Sequence, residues 1–187
     1  PDPGKAFDKY PHEMSGGQKQ RVMIAMAMIN QPQLLIADEP STALDVLVQK
    51  EIIRLIQKLV KEHRTTVLFI THDLALAQHI SDRIIEMKDG KIIDRSLYRQ
   101  EIPFKEPGDR VPTPVLQVEN VSVVYPQGKD TVLAVDKVHF ELYQGETLGL
   151  IGGSGSGKTT VSKAILGLTP IQSGKIIFRG KDITHIS

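Results

Sequence analysis

The sequence contains no cysteine and no tryptophan, and only 5% of its 187 residues are aromatic. The lack of cysteine excludes disulfide bonds and thiolate metal sites. The formal net charge of +1 provides no electrostatic argument for nucleic-acid binding. The longest unbroken apolar run, Val22 to Ile29, is far shorter than the roughly 18–20 residues needed to span a bilayer. With 40% hydrophobic and 24% charged residues, the composition is typical of a globular protein.

The first half of the chain alternates helical and strand patterns. Apolar residues at helical spacing predict an amphipathic helix, and Asp89-Gly90 between two apolar runs is a strong type I′ hairpin signal. We predict a helix over Gly16–Asn30, a strand over Gln33–Ala37, a helix over Val46–His63, a buried strand at "TTVLFI", a short helix after Asp73 and a hairpin around Asp89-Gly90.

A change of composition divides the chain. Residues 96–114 are rich in proline and have little periodicity, which predicts a linker. After it come two strand patterns, then "TLGLI" leading through a glycine loop into a helix, and a hairpin-like "SGKIIFRGKDI". The elements together predict an α/β fold, with a mainly parallel core sheet and an antiparallel β part.

The glycine loop "GGSGSGKT" fits the phosphate-binding pattern G-x-x-x-x-G-K-[ST]. Backbone N–H groups in such a loop surround phosphate oxygens, a lysine supplies a positive charge, and a hydroxyl can bind Mg²⁺. The preceding apolar strand and the following helix are the context that this motif requires. We therefore predict a nucleotide phosphate site formed by Gly152, Gly153, Ser154, Gly155, Ser156, Gly157, Lys158, Thr159 and Thr160.

Two further segments place polar side chains at the ends of apolar strands. "LLIADE" ends in Asp38 and Glu39, which suit a magnesium ligand and a base that activates water. His72 follows the strand "TVLFIT", and this position resembles the one at which P-loop ATPases place a sensor of the terminal phosphate. Near the start of the chain, "MSGGQKQR" places two glycines at a helix N-terminus, where backbone N–H groups attract an anion.

In this order, "MSGGQKQR", "LLIADEP", "STALD" and "ITHD" resemble the second half of an ABC-type nucleotide-binding domain, and "GGSGSGKTT" resembles the first half of another. The resemblance implies a P-loop NTPase fold that binds ATP and Mg²⁺. It makes Asp38 and Thr159 metal ligands, Glu39 the general base and His72 the switch histidine.

The resemblance also assigns roles between domains. It assigns Ser15, Gly16, Gly17 and Gln18 to a signature motif that contacts ATP held by an opposite domain. Asp45 would belong to the D-loop that couples two sites, and Tyr125 would stack on adenine. Met14 and Gly153 depart from the usual family residues without removing a chemical group.

The order of the motifs is unusual, since the phosphate loop follows the signature instead of preceding it. Because the chain also starts without methionine, we expect a window from a tandem protein. Residues 1–95 would be the end of a first nucleotide-binding domain, 96–114 the linker and 115–187 the start of a second. The segment "ADEPSTALDVLVQ" resembles the corresponding sequence in the oligopeptide and dipeptide importer branch of the family.

The resemblance implies an ATPase on the cytoplasmic face of the inner membrane, peripheral to it and attached to permease subunits, with an external solute-binding protein. A soluble tandem ATPase of the translation-factor branch is an alternative, but "STALD" and a short linker favour transport. A chromosome-organising ATPase would need long heptad repeats, which are absent. Since the glutamine loop is missing, binding of nucleotide without turnover stays open.

Two arrangements of the halves are possible. They could face each other across ATP, with Ser15 opposite Lys158, or they could close into one permuted sheet that brings Lys158 near Asp38. Each half alone would leave open sheet edges and an exposed apolar face, which is costly. We therefore predict the single sheet.

Overall fold

The computed structural model describes residues 10–42, 44–93, 113–128 and 130–185. Within these ranges, a short 3₁₀ turn at Pro11–Glu13 is followed by four helices and nine strands. The helices are α1 (Gly16–Met28), α2 (Val46–His63), α3 (Leu74–Ile80) and α4 (Lys158–Ile165). The strands are β1 (Leu34–Asp38), β2 (Thr66–Thr71), β3 (Arg83–Lys88), β4 (Lys91–Ile93), β5 (Pro114–Gln127), β6 (Asp130–Tyr143), β7 (Thr147–Ile151), β8 (Ser173–Phe178) and β9 (Lys181–Asp182).

The two halves of the chain share one five-stranded sheet, with the order β1-β2-β7-β3-β4. Strand β7 from the second half lies between β2 and β3 from the first half and is parallel to both. The predicted single sheet is therefore confirmed. A separate antiparallel sheet has the order β6-β5-β8-β9, as the predicted fold class requires.

Strand β2 illustrates how the sheet acquires its two buried faces. Successive side chains of a strand point to opposite sides. Leu68 and Ile70 belong to a core shared with α4 and the antiparallel sheet. Val67 and Phe69 belong to a second core, beneath α2 and α3. Because both faces are covered, this strand is a continuous apolar run.

Polar contacts at the amino end of the sheet also join the two halves. Arg83 at the start of β3 donates a 2.8 Å hydrogen bond to Glu146, just before β7. The Thr147 N–H donates to Asp82 at 2.7 Å, and the Gly145 N–H donates to the Thr66 hydroxyl at 3.0 Å. Arg83 also donates to the Glu141 carbonyl. These bonds therefore connect the first and second halves of the chain at this end of the sheet.

Several element boundaries differ from the predictions. Helix α1 ends at Met28 and not at Asn30, because Gln31 adopts a positive φ of 48° just before Pro32. Strand β1 spans Leu34–Asp38 and so begins and ends one residue later than predicted. The predicted strand "TTVLFI" is likewise shifted by one residue, to Thr66–Thr71. The predicted linker over 96–114 lies mostly outside the described residues, but Pro114 already belongs to β5.

The hairpin around Asp89-Gly90 is confirmed, with both turn residues at positive φ, 49° and 77°. Across the described parts of the chain, no helix combines the length and apolarity needed to cross a membrane.

Candidate functional site

The carboxyl ends of three parallel strands meet at one edge of the sheet. Asp38 of β1 pairs in register with Ile70 of β2, and Thr71 pairs with Ile151 of β7. Asp38, His72 and Gly152 therefore leave the sheet side by side, although they come from distant parts of the chain. Ligands of open α/β sheets bind at this edge.

The loop between β7 and α4 has the backbone shape that its glycines allow. Gly157, at the N-cap of α4, has a φ of 100°, and a Cβ there would come within 2.5 Å of the Ala134 carbonyl. Gly153 and Gly155 face open space, because a Cβ on either would have no neighbouring atom within 4 Å. The loop is thus packed closely on its protein side and leaves room on its outer side.

Lys158 is buried, and its ammonium group closes back over the loop. Its Nζ donates to the carbonyls of Gly152 and Gly153 at 2.9 and 2.8 Å. The Ser156 hydroxyl is buried with no hydrogen-bond partner among the described residues. Ser154 and Thr159 are exposed, and Thr160 is half-buried. Charge, hydroxyl groups and a helix N-terminus are therefore concentrated around one cleft, a combination that suits a polyphosphate.

Asp38 reaches the helix that follows the loop. Its Oδ2 accepts a 3.1 Å hydrogen bond from the Ser162 hydroxyl on α4. Asp38 is an exposed residue, so water or a cation can approach it. Thr159 lies on the same helix, three residues before Ser162, and helical residues at this spacing are neighbours on one face. Both predicted magnesium ligands are therefore associated with the start of α4.

Glu39 follows Asp38 in a left-handed backbone conformation, with a φ of 47°. Such a conformation is strained for a residue with a side chain and is frequent at functional sites. The Glu39 N–H donates to the Ile70 carbonyl at 2.9 Å, which ties the strained residue to β2. Because of this backbone conformation, Glu39 does not continue β1, and its side chain lies next to His72.

In the part of the chain that the structure describes, two side chains lie within hydrogen-bond distance of the Glu39 carboxylate. The Thr42 hydroxyl donates to Oε2 at 2.8 Å, and His72 Nδ1 lies 3.3 Å from Oε1. The Thr42 hydrogen bond lowers the pKa of Glu39 below its ordinary 4.5, and His72 and the charge of Lys158 lower it further against the effect of burial. Glu39 is therefore ionised at neutral pH, as a base must be.

The glycines of the predicted signature segment have a packing role within this chain. Ser15 caps α1, and its Oγ accepts from the Gln18 N–H at 3.3 Å, while Gln18 Oε1 accepts from the Ser15 N–H at 3.0 Å. A Cβ on Gly17 would approach Val48 Cγ1 of α2 to 2.6 Å. Close contact between α1 and α2 therefore accounts for Gly17, while its role toward a phosphate stays a prediction.

Replacing Gly17 with alanine is expected to lower the stability of the chain. Alanine improves helix propensity by about 1 kcal/mol. The branched Val48 side chain is stiff in a helix, however, and overpacking costs about 1–3 kcal/mol. A lower urea midpoint would show this. Gly16→Ala is the matched control, because its Cβ meets only the flexible end of Leu44, at 3.1 Å. Equal stability of Gly17→Ala and the parent would contradict the packing role.

The other two predicted residues have local partners. Asp45 caps α2, and its Oδ1 accepts from the N–H groups of Leu47 and Val48 at 3.1 and 3.0 Å. Tyr125 packs against the main core, and hydrogen bonds from Thr169 and then Thr160 lower the pKa of its phenol from the ordinary 10.0. Thr160 lies at the start of α4, so Tyr125 is close to the phosphate loop. Its stacking on adenine stays a prediction.

Sequence reasoning missed two residues of this site, Thr42 and Ser162. Thr42 lies in the "STALD" turn, and its partner Glu39 is three residues earlier. One indication of Ser162 was present in the sequence, because helical spacing places it on the same face of α4 as Lys158 and Thr159. Its partner Asp38 is 124 residues away, and no local pattern announces that contact.

The donor set fits a nucleotide with its cation better than a free metal ion. Within the described ranges, no group of three or more histidine, aspartate or glutamate side chains could hold a metal. Asp38 and Thr159 offer two oxygen ligands, and Mg²⁺ is commonly held by one or two protein groups together with substrate phosphates and water. The open outer side of the loop leaves room for those phosphates.

Comparison with known proteins gives a consistent result. The profile of the ABC transporter family matches residues 2–42 and 135–187. The chain is 41% identical over 207 residues to the uncharacterised ABC transporter ATP-binding protein YejF of Escherichia coli K12, which aligns with 98% of the chain. It is 40% identical over 210 residues to the peptidoglycan transport ATP-binding protein YejF of Agrobacterium fabrum. It is 36% identical over 237 residues to the glutathione import ATP-binding protein GsiA of E. coli K12. Both of the latter align with the whole chain.

The chain spans only 38–39% of the length of these relatives. Among solved structures, an ATP-binding cassette of an ABC transporter is 32% identical, with a TM-score of 0.35. That match covers 40% of this chain and 28% of the other.

Proposed function

This chain belongs to the ABC transporter family, and from that premise we propose that it is part of an ATP-hydrolysing subunit that powers solute import. The observation that carries the proposal is the convergence of Lys158, Asp38 and Glu39 at one sheet edge. Asp38 bonds to α4 at 3.1 Å, and the charge of Lys158 acts on Glu39. A phosphate-binding cation, a metal-binding carboxylate and an ionised base are the groups that phosphoryl transfer to water requires.

Each residue has a role in this proposal. The loop from Gly152 to Thr160 holds the phosphates of ATP, with Lys158 turning its ammonium from the loop carbonyls to the phosphate oxygens. Asp38 and Thr159 hold Mg²⁺, which neutralises charge on the phosphates when it is bound. Glu39 accepts a proton from a water molecule while the oxygen of that water attacks the terminal phosphorus of ATP. The bond between this phosphorus and the bridging oxygen breaks, and ADP leaves with the bridging oxygen. His72 contacts Glu39 and responds to the terminal phosphate.

The signature and D-loop residues act between domains in this proposal. In the longer protein, residues 1–95 and 115–187 would belong to two successive nucleotide-binding domains joined by a linker over 96–114. Asp38 and Lys158 would then serve two equivalent ATP sites, whereas the single sheet of this chain brings them into one. Ser15, Gly16, Gly17 and Gln18 contact ATP held by the other domain, Asp45 couples the two sites, and Tyr125 stacks on adenine. The motif order and the greater length of the relatives support this proposal.

The proposed solute is a peptide or a similar small molecule. Relatives of this chain are a glutathione import protein and a peptidoglycan transport protein, both of which handle peptide-containing solutes. The subunit would attach to membrane permease subunits on the cytoplasmic face of the inner membrane, with an external solute-binding protein. The translation-factor alternative has less support from these relatives.

The test is equilibrium binding of ATP to this chain with Mg²⁺, together with phosphate release. We expect a saturable ATP site, because the loop, Lys158 and Asp38 all belong to one sheet edge. Turnover would indicate that Glu39 acts in that same site. Binding without turnover would assign hydrolysis to the longer protein. Absence of any ATP binding would overturn the proposed site.

A further inference from the structure

The Ser162 hydroxyl lies between the two proposed magnesium ligands. Its Oγ is 3.1 Å from Asp38 Oδ2 and 2.9 Å from the Thr159 carbonyl. Ser162 is 4% exposed, in the first turns of α4, whereas Asp38 and Thr159 are both exposed. A buried hydroxyl therefore contacts the carboxylate of one proposed ligand and the backbone of the other.

A serine hydroxyl has one proton and can donate one hydrogen bond at a time. A bond to the Asp38 carboxylate is charge-assisted and is the stronger of the two. The Thr159 carbonyl, three residues back on the same helix, is an alternative acceptor. A cation that draws negative charge from Asp38 would weaken the first bond, and the second would then keep the buried hydroxyl satisfied.

We propose that Ser162 is a positioning residue for the cation site, and that its hydroxyl holds the Asp38 carboxylate against the start of α4 before the cation binds. The bond occupies Oδ2 and leaves the other carboxylate oxygen for the cation. In the single sheet of this chain it also ties β1 of the first half to α4 of the second half. The proposal rests on the proposed function of Asp38 and Thr159 as ligands of a divalent cation bound with ATP.

The test compares ATP affinity in Mg²⁺ and in EDTA for the 187-residue chain. Ser162→Ala is expected to reduce the gain in affinity that Mg²⁺ provides by about fivefold, the size of one net hydrogen bond. Its ATP affinity in EDTA is expected to stay within about twofold of the parent, because among the described residues the Ser162 hydroxyl has no hydrogen bond to the phosphate loop apart from that to the Thr159 carbonyl. Ser162→Thr keeps the hydroxyl and is expected to restore the gain.

Ser81→Ala is the matched control. It removes another buried serine hydroxyl, which has no hydrogen-bond partner in the described part of the chain and lies at the end of α3. The control should leave the Mg²⁺-dependent gain unchanged. Ser162→Ala should fold, because alanine favours a helix and the freed Asp38 oxygen is accessible to water. A thermal midpoint within about 3 °C of the parent would show this.

The outcomes separate the positioning role from the function on which it rests. If the parent binds ATP with a Mg²⁺-dependent gain that Ser162→Ala retains in full, the positioning role is overturned and the ATP site stands. If Ser162→Ala weakens binding equally in Mg²⁺ and EDTA, the serine acts on the fold or on the phosphates, and the positioning role is again overturned. If the parent binds no ATP, both the function and the positioning role fail.

Discussion

ATP binding by this chain is expected to weaken about 100-fold when Lys158 is replaced with alanine. Hydrogen bonds to charged groups contribute about 1.5–3 kcal/mol each, and each 1.4 kcal/mol is a tenfold change in affinity. The Lys158 ammonium is buried at the loop, where water screens it little. Its two present acceptors, the carbonyls of Gly152 and Gly153, mark where the amine lies before phosphate arrives.

Titration calorimetry with ATP and Mg²⁺ would measure the effect. Lys163→Ala is the matched control, since it removes the same charge from the exposed side of the same helix. The control is expected to change the affinity by less than about threefold, because exposed charges at a distance are screened. Undiminished affinity of Lys158→Ala would show that the loop does not hold phosphate as proposed.

Glu39→Gln is expected to abolish turnover while ATP affinity stays within about twofold of the parent. A positioned general base contributes about 10²–10⁴-fold to a rate, and glutamine cannot accept the proton. The amide keeps the size of the side chain and can still accept the Thr42 hydrogen bond through its carbonyl oxygen. The loss should therefore appear in kcat, since the side-chain partners of Glu39 are Thr42 and His72 and neither belongs to the phosphate loop.

Phosphate release should be measured on the protein that shows turnover, whether this chain or the longer protein that contains it. Glu62→Gln on the exposed face of α2 is the control for the same chemical change and should leave the rate unaltered. An unchanged rate for Glu39→Gln would remove Glu39 from the role of base.

The pH dependence of turnover follows from the same carboxylate. The Thr42 hydrogen bond, then His72 and Lys158, lower the pKa of Glu39 below 4.5. A base with a lowered pKa keeps its charge as the pH falls, so protonation of Glu39 should not reduce the rate until the pH is below 4.5. If the rate falls during acidification while the pH is still above 4.5, a group other than Glu39 must cause the loss.

Local features of this fold could be predicted from the sequence. Helix α2 begins at Val46 and ends at His63 as predicted, because Asp45 caps it and its apolar residues repeat at helical spacing. The Asp89-Gly90 turn could be predicted because few residue pairs adopt positive φ twice in succession. Some predicted element boundaries were wrong by one or two residues. At the end of α1, for example, Gln31 adopts a positive φ before Pro32, and the helical conformation does not continue through it.

The functional groups of the candidate site could be predicted, and so could the approach of Lys158 to Asp38 in a single sheet, but the hydrogen bonds within the site could not. Motif chemistry predicts Lys158, Asp38 and Glu39 as site residues, because phosphate, cation and water each require a particular functional group. It did not identify Ser162 or Thr42, because a hydroxyl acquires its role only from the group that it faces. Gly17 is a second example. The sequence suggested that a bound phosphate requires this glycine, whereas the structure shows that the Val48 side chain leaves little room for a Cβ there.

The sequence by itself determined the functional groups and the elements that carry them, since helix caps, turn residues and strand alternation act over a few residues. Only the tertiary structure decided that β7 pairs with both β2 and β3, and hence that Lys158 and Ser162 lie beside Asp38 and Glu39. Strand pairing depends on burying two apolar faces and satisfying two backbone edges at once. Those requirements join residues more than a hundred positions apart, and no local pattern expresses them.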